Sequence, residues 1–198
     1  MGSCAFRTQW QSETLSYQIE MKFQQLVAAR RSHRRFSGEE IDPTQVQLLL
    51  RAALMAPTSR NRQSWQFVVV EDKSDLEKLA DVKENGSAFL KDAPLAIVVL
   101  GDPVADDCWV EDDSIAAASM LYQAEALGLG ACWVQIRGRR LSDGTTSTEV
   151  VRGILDIPDS LEVLCIVAFG RPAVQLPPRD EDSLKWEKVH INKYTGND

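Results

Sequence analysis

No stretch restricts the fold of this chain as much as Ile115 to Leu127, which is apolar on nearly every helical face. A helix without a polar side has to be buried all round, at the centre of its own domain or against a second subunit. Asp112, Asp113 and Ser114 offer side-chain caps in front of it, and Gly128 and Gly130 stop it behind. Short apolar runs at Gln66–Val70, Leu95–Leu100, Ala131–Ile136 and Leu161–Phe169 read as buried strands packed around that helix.

Further helices alternate with these strands. Leu15, Ile19, Phe23, Leu26 and Val27 recur at helical spacing up to a run of arginines. Asp42-Pro43-Thr44-Gln45 reads as a cap, a first-turn proline and a capping box, followed by the stripe Val46, Leu49, Leu50, Ala53 and Leu54. That helix must stop before Pro57. Ser74 to Glu77 reads as a second capping box for a helix through Ala80, and Asn85-Gly86-Ser87 as a break. Thr146 and Glu149 cap a helix through Leu155. On alternation alone, the pattern predicts a doubly wound parallel sheet.

A length of 198 residues fits one domain, and 44% hydrophobic content is ample for a core. A net charge of −7 argues against a general binder of nucleic acid or membrane surfaces. Cys4, Cys108, Cys132 and Cys165 are widely spaced and have no partnered histidines, which excludes a zinc framework and suits free thiols. Without a membrane-length apolar run or a signal-peptide core, the expected compartment is the cytoplasm. Residues 1–20 are polar and patternless, and read as an extension or an artefact ahead of a domain spanning 21–198.

With only His33 and His190, and no nucleophile elbow, phosphate-cradling loop or zinc motif, the chemistry points to an organic cofactor and to no resident metal. Two segments could hold one. Arg30, Arg31, Arg34 and Arg35 surround Ser32 in an acidic protein, which reads either as a phosphate site or as the cationic end of a helix. Ala56 to Phe67 offers hydroxyls, amides and a proline before a strand, suited to the edges of a heterocycle or serving as a satisfied turn.

Together these segments resemble the nitroreductase family of FMN-dependent oxidoreductases. Arg30-Arg31-Ser32-His33-Arg34-Arg35-Phe36 matches its opening motif. Ala56 to Phe67 matches its Ala-Pro-Ser-x-x-Asn-x-Gln-Pro-Trp-x-Phe segment, with Thr58 and Ser64 as departures. Ala124 to Trp133 and Gly170-x-Pro172 follow in the family order, so the likeness runs from about Met21 to Tyr194. It implies an α+β fold with a mainly antiparallel or mixed central sheet surrounded by helices, in place of the all-parallel sheet. It also implies an entwined homodimer with FMN sites at its interface. By position, Arg30, Arg31, Ser32 and Arg34 would hold the phosphate and pyrimidine edge. Pro57, Thr58, Ser59 and Asn61 would approach the flavin from the partner chain. Gln135 and Ile136 would offer backbone groups near N5 and O4, and Arg179 or Lys185 would reach the phosphate from the tail. The implied reaction passes a hydride from NADH or NADPH through flavin N5 to a nitroaromatic, quinone or similar acceptor, in ping-pong fashion. Family members also include dehalogenases and dehydrogenases, and a protein that only sequesters flavin remains a further alternative.

Overall fold

The apolar runs form the predicted strands almost residue for residue. In this computed structural model, which describes residues 22–196, they are β1 (Gln66–Val70), β2 (Leu95–Gly101), β3 (Gly130–Gln135) and β4 (Glu162–Gly170). The helices are α1 (Phe23–Ala29), α2 (Pro43–Leu54), α3 (Lys73–Ala80), α4 (Trp109–Ala126) and α5 (Ser147–Leu155). The proposed extension at 1–20, the helical positions Leu15 and Ile19, and Cys4 lie outside the described residues.

The strands pair in the order β1-β2-β4-β3, and every pair is antiparallel. This corrects the parallel sheet expected from alternation and agrees with the family resemblance. Both β2 and β3 run antiparallel to β4, so they are parallel to each other, and α4 is the crossover between them. The alternation therefore reported a real βαβ unit, but β4 enters the slot between its strands. Sequence spacing carries no record of that insertion.

Alternate side chains of β2 supply two cores. Leu95, Ile97 and Val99 pack with α2 and α4 on one face, while Ala96, Val98 and Leu100 pack with α3 and α5 on the other. Helices thus cover both faces, which explains why β2 and β4 are apolar almost throughout. β1 is an edge strand and only partly buried, with Val69 exposed, so it is less enclosed than its sequence predicts. A bulge at Leu164 breaks the register between β2 and β4. Its carbonyl accepts the N–H groups of both Ile136 (3.3 Å) and Arg137 (3.0 Å), which turns the chain as it leaves β3.

Local caps form where their partners lie within a few residues. Asp42 accepts the Thr44 N–H at 2.7 Å, and Thr146 and Glu149 close a reciprocal box. Two expected caps are replaced. Gln45 does not complete a box but donates to the Leu127 carbonyl at 3.4 Å, tying α2 to the end of α4. Asp72, two residues ahead of Ser74, caps α3 by accepting the Asp75 N–H at 3.1 Å.

The larger correction concerns α4, which begins at Trp109 with Cys108 in front of it. Asp112 and Asp113 are therefore interior residues, and both are buried. Ser114 turns its hydroxyl back onto the Val110 carbonyl. Trp109, Asp112, Asp113, Ala116, Ala117, Met120 and Ala124 form the inward stripe, while Ile115 is 41% exposed. Within one chain the helix is thus covered on one side rather than all round.

Asp113 is the costly member of that stripe. It is fully buried, and neither carboxyl oxygen has a hydrogen-bond partner among the described residues. Gly101 faces it, and a Cβ there would come within 2.5 Å of Asp113 Oδ2. Burial, reinforced by Asp112 and Asp106, pushes its pKa from 3.8 to about 8. The native state keeps a proton that the unfolded chain releases, so stability is full below about pH 4 and falls as pH rises towards 8. One retained proton gives a slope of about 1.4 kcal/mol per pH unit. Asp113→Asn mimics the neutral acid, so its advantage in urea unfolding should widen steadily from pH 5 to pH 8. A constant gap across that range would show that Asp113 is not held neutral.

Candidate functional site

Helix α1 does end at the arginine run, with the Arg30 N–H bonded to the Leu26 carbonyl at 3.0 Å, and the rest of the segment continues as extended chain. Ser32 bridges Ala131 in a parallel sense, and the His33 N–H donates to the Ala131 carbonyl at 3.0 Å, which places the run along the free edge of β3. Further on, the Ser37 N–H bonds the Arg171 carbonyl and the Ala173 N–H bonds the Arg35 carbonyl, both at 3.0 Å. Two glycines permit this approach. A Cβ on Gly130 would lie 2.8 Å from His33 Cβ, and one on Gly170 would lie 2.8 Å from the Phe36 ring. His33 and Phe36 are the buried anchors of the run, while Ser32 and Arg34 remain exposed.

Alternation along an extended chain sets Arg30, Ser32 and Arg34 on one side and Arg31 on the other. Arg31 donates to the Pro177 carbonyl and so holds the tail. Arg30 and Arg34 form no ion pair among the described residues, although the chain is acidic. Both act on the buried Cys132 thiol, whose pKa burial raises while Arg34, Lys83 and Arg30 oppose that rise. Lys83 is thus a third cation of the cluster, and the sequence reading missed it. Its ammonium donates to the Gln135 carbonyl at 3.2 Å. Burial, and then Arg139, lowers its pKa. No local pattern around Lys83 marks it, because its partners belong to β3.

Gln135 ends β3 with its side chain between the Trp133 indole N–H and the Arg137 carbonyl, each at 2.9 Å. Ile136 donates its N–H to Leu164 and accepts the Arg139 N–H at 2.9 Å, so both of its backbone groups are satisfied within the chain. The Arg179 N–H bonds the Ala28 carbonyl at 2.9 Å, which brings that residue to the start of the arginine run. Lys185 is exposed in the tail, and no bond links it to the run among the described residues.

The second segment lies elsewhere. After the exposed Pro57, Ser59 to Asn61 form a tight turn leading into β1 at the opposite edge of the sheet. Arg60, Asn61 and Gln63 all have left-handed backbones, with φ of 51°, 54° and 52°. Such residues cost on the order of 1 kcal/mol each and need outside support. Thr58 Oγ1 accepts the Gln63 N–H at 3.2 Å, and Arg62 donates to the Ala105 carbonyl at 2.7 Å. The Ser59 N–H points between the two carboxyl oxygens of Asp112, at 2.8 and 3.0 Å. Asp112 is a further residue hidden from sequence, where it reads as a helix cap.

Asp112 stands near the start of α4, and Gly130 with its arginine run stands just past the end. From Asp112 to Ala126, fourteen steps of helix at about 1.5 Å each put roughly 21 Å between the two segments. One chain gathers the cations at one end of α4 and the strained, hydroxyl-rich turn at the other. It does not bring them together.

This antiparallel sheet between two helical layers, with an arginine-lined edge and a separate polar turn, defines an α+β protein. A family model described as the nitroreductase family matches residues 27–86 and 82–171. A protein of Archaeoglobus fulgidus, provisionally named NADH dehydrogenase/NAD(P)H nitroreductase, is 30% identical over 174 residues, covering 85% of this chain and 97% of its own. One from Methanothermobacter thermautotrophicus with the same name is 31% identical over 178 residues, covering 88% and 89%. The solved structure of an FMN-dependent nitroreductase from Clostridium difficile is 37% identical, with a TM-score of 0.83 over 85% of this chain and 98% of that one. The chain belongs to the nitroreductase family.

The close packing of His33 on Gly130 gives a direct check of how the arginine run is held. Gly130→Ala should lift the run from β3 and cost about 1 to 3 kcal/mol, as overpacked sites do. At about 2 to 4 °C per kcal/mol for a chain of this size, the melting temperature should fall by several degrees. An unchanged melting curve would mean that the run does not lie against β3 as described.

Proposed function

We infer that this protein is an FMN-dependent oxidoreductase that draws electrons from NADH or NADPH and reduces a small acceptor, a nitroaromatic or a quinone. The observation that carries the reading is the pair of half-sites. Two guanidinium groups without carboxylate partners stand on one side of an extended run, with the exposed Ser32 hydroxyl between them. That donor set fits a phosphate and the electron-rich pyrimidine edge of FMN, since guanidinium forks bind oxyanions in a bidentate way.

FMN, when bound, supplies the redox chemistry by taking a hydride from the nicotinamide and passing it to the acceptor. The chain's own work is to hold and orient. Arg30, Ser32 and Arg34 bind the phosphate and pyrimidine edge, and Lys83 adds positive charge beside them. Gln135, at the end of β3, is the contact for the N5 and O4 edge. Arg179 reaches the phosphate through its place beside Ala28, and Lys185 is the weaker tail candidate.

The turn Pro57–Asn61 lies too far along α4 to meet the same flavin, so a second copy provides it. The protein therefore works as a homodimer with two FMN sites, each built from residues of both copies. Exposed Leu184, Trp186, Val189, Ile191 and Tyr194 on the tail supply apolar surface for such a contact. Donor and acceptor use the same open face of the ring in turn, which is ping-pong turnover. Among the described residues no helix is long and apolar enough to cross a membrane, and the proposed compartment is the cytoplasm.

Protein reconstituted with FMN should be yellow, lose its colour anaerobically with NADH or NADPH, and regain it with a nitroaromatic or quinone. A chain that takes up no FMN overturns the reading. Mixed dimers test the split site. Arg30→Ala and Asn61→Ala homodimers should each bind FMN about ten- to a hundredfold more weakly, the cost of about one or two charged hydrogen bonds. Arg35→Ala should bind normally. In a heterodimer of the first two variants, one site carries both defects and the other carries none. One tight site per heterodimer is expected, and no recovery would show that the two residues do not share a site.

A further inference from the structure

We propose that Asp112 is a positioning residue whose buried carboxyl group holds the Ser59 amide and thereby fixes the turn Pro57–Asn61 in the shape that meets FMN. The inference rests on the reading of that turn as the second half of the flavin site. It begins from a mismatch between position and partner. A carboxylate in the first turn of a helix ordinarily bonds that helix's own free N–H groups. The Asp112 N–H is already taken by the Cys108 carbonyl at 3.0 Å, and its side chain instead turns away to the Ser59 N–H.

The turn needs such a hold. Arg60 and Asn61 both adopt left-handed backbone immediately after Ser59, so the orientation of the Ser59 peptide sets the direction in which Asn61 projects. The bonds from Asn61 N–H to Thr58, from Arg62 N–H to Ser59 and from Gln63 N–H to Thr58 all lie inside the loop. They shape it but do not attach it. Arg62 and Ser64 reach Ala105 and Asp106, but from the far side of the turn. Asp112 is the bond from the turn itself to the rigid scaffold, and it comes from a helix packed across the sheet.

The carboxyl group is well made for this role. It is only 4% exposed, so water competes poorly for the amide. Asp106 is also buried, and it accepts the Cys108 N–H at 3.0 Å and the Ser64 hydroxyl at 3.3 Å. Burial holds Asp112 above the ordinary carboxylate range, while the Cys108 N–H holds Asp106 below it. Asp112 accepts from Ser59 while Asp106 accepts from Cys108 and Ser64, which ties the turn, α4 and the loop before it into one network.

The test compares Asp112→Ala with Asp112→Asn, whose carbonyl oxygen still accepts one hydrogen bond. In FMN-free protein, hydrogen exchange at the Ser59 amide should be at least about tenfold faster in Asp112→Ala, while amides of β2 and β4 keep their protection. The Kd for FMN should rise about ten- to a hundredfold, and Asp112→Asn should restore both values to within a few-fold of wild type. Unchanged exchange at Ser59 in Asp112→Ala overturns the inference. So does faster exchange with unchanged FMN affinity, because the turn would then be loosened without the flavin sensing it. Should Asp112→Ala also lose protection in β2 and β4, Ser59→Pro deletes the donated N–H and leaves Asp112 in place. Ser59→Pro should show the same loss of affinity with β2 and β4 still protected, and wild-type affinity in Ser59→Pro overturns the inference. Failure of the wild-type protein to bind FMN overturns the flavin reading and this inference with it. Failure confined to the variants overturns the positioning role alone.

Discussion

The packing of α4 across the sheet is the constraint on which the rest of this structure depends. Ala116, Ala117, Met120 and Ala124 have no exposed surface, and their small or flexible side chains let the helix lie close to β2, β3 and β4. Once seated, α4 fixes what happens at both of its ends. At the front, Asp112 catches the turn before β1. At the back, Gly128 turns the chain with φ of 71° into Gly130, where the missing side chain admits His33 and the arginine run. A shift of one residue along the helix would misplace both segments together.

The charges are sorted by the same helix. Asp106, Asp112 and Asp113 gather near its N-terminus, where the helix dipole favours negative charge, although all three are buried. Arg30, Arg34 and Lys83 gather beyond its C-terminus around Cys132. Asp112 and Asp106 are spent inside the protein, on the Ser59 and Cys108 amides. The cations have no ion-pair partners among the described residues. Separating the two sets by the length of α4 keeps the acids from neutralising the guanidinium groups.

Asp113 stands apart from the other two acids. Its carboxyl group is buried without a partner where a neutral side chain would pack at lower cost. Gly101 leaves it the space, but nothing in the structure explains why an acid occupies it.

The sequence by itself determined the elements and the two segments that matter. Strand runs, the proline-started α2 and the capping box of α5 are written in contacts a few residues apart, so spacing reveals them. The arginine run and the Pro57–Asn61 turn were visible because their composition departs from their surroundings, and the order of the motifs then gave the family. The tertiary structure alone decided that β4 enters between β2 and β3, that Gln45 bonds Leu127 rather than its own helix, and that Asp112 serves Ser59 rather than capping α4. It alone brought Lys83 to Gln135 and placed the arginine run and the Pro57–Asn61 turn at opposite ends of one helix. Each of these pairs residues far apart in the chain, and such contacts form only once the apolar faces have chosen how to stack. A side chain that can bond a neighbour or a distant partner reads the same in sequence until that choice is made.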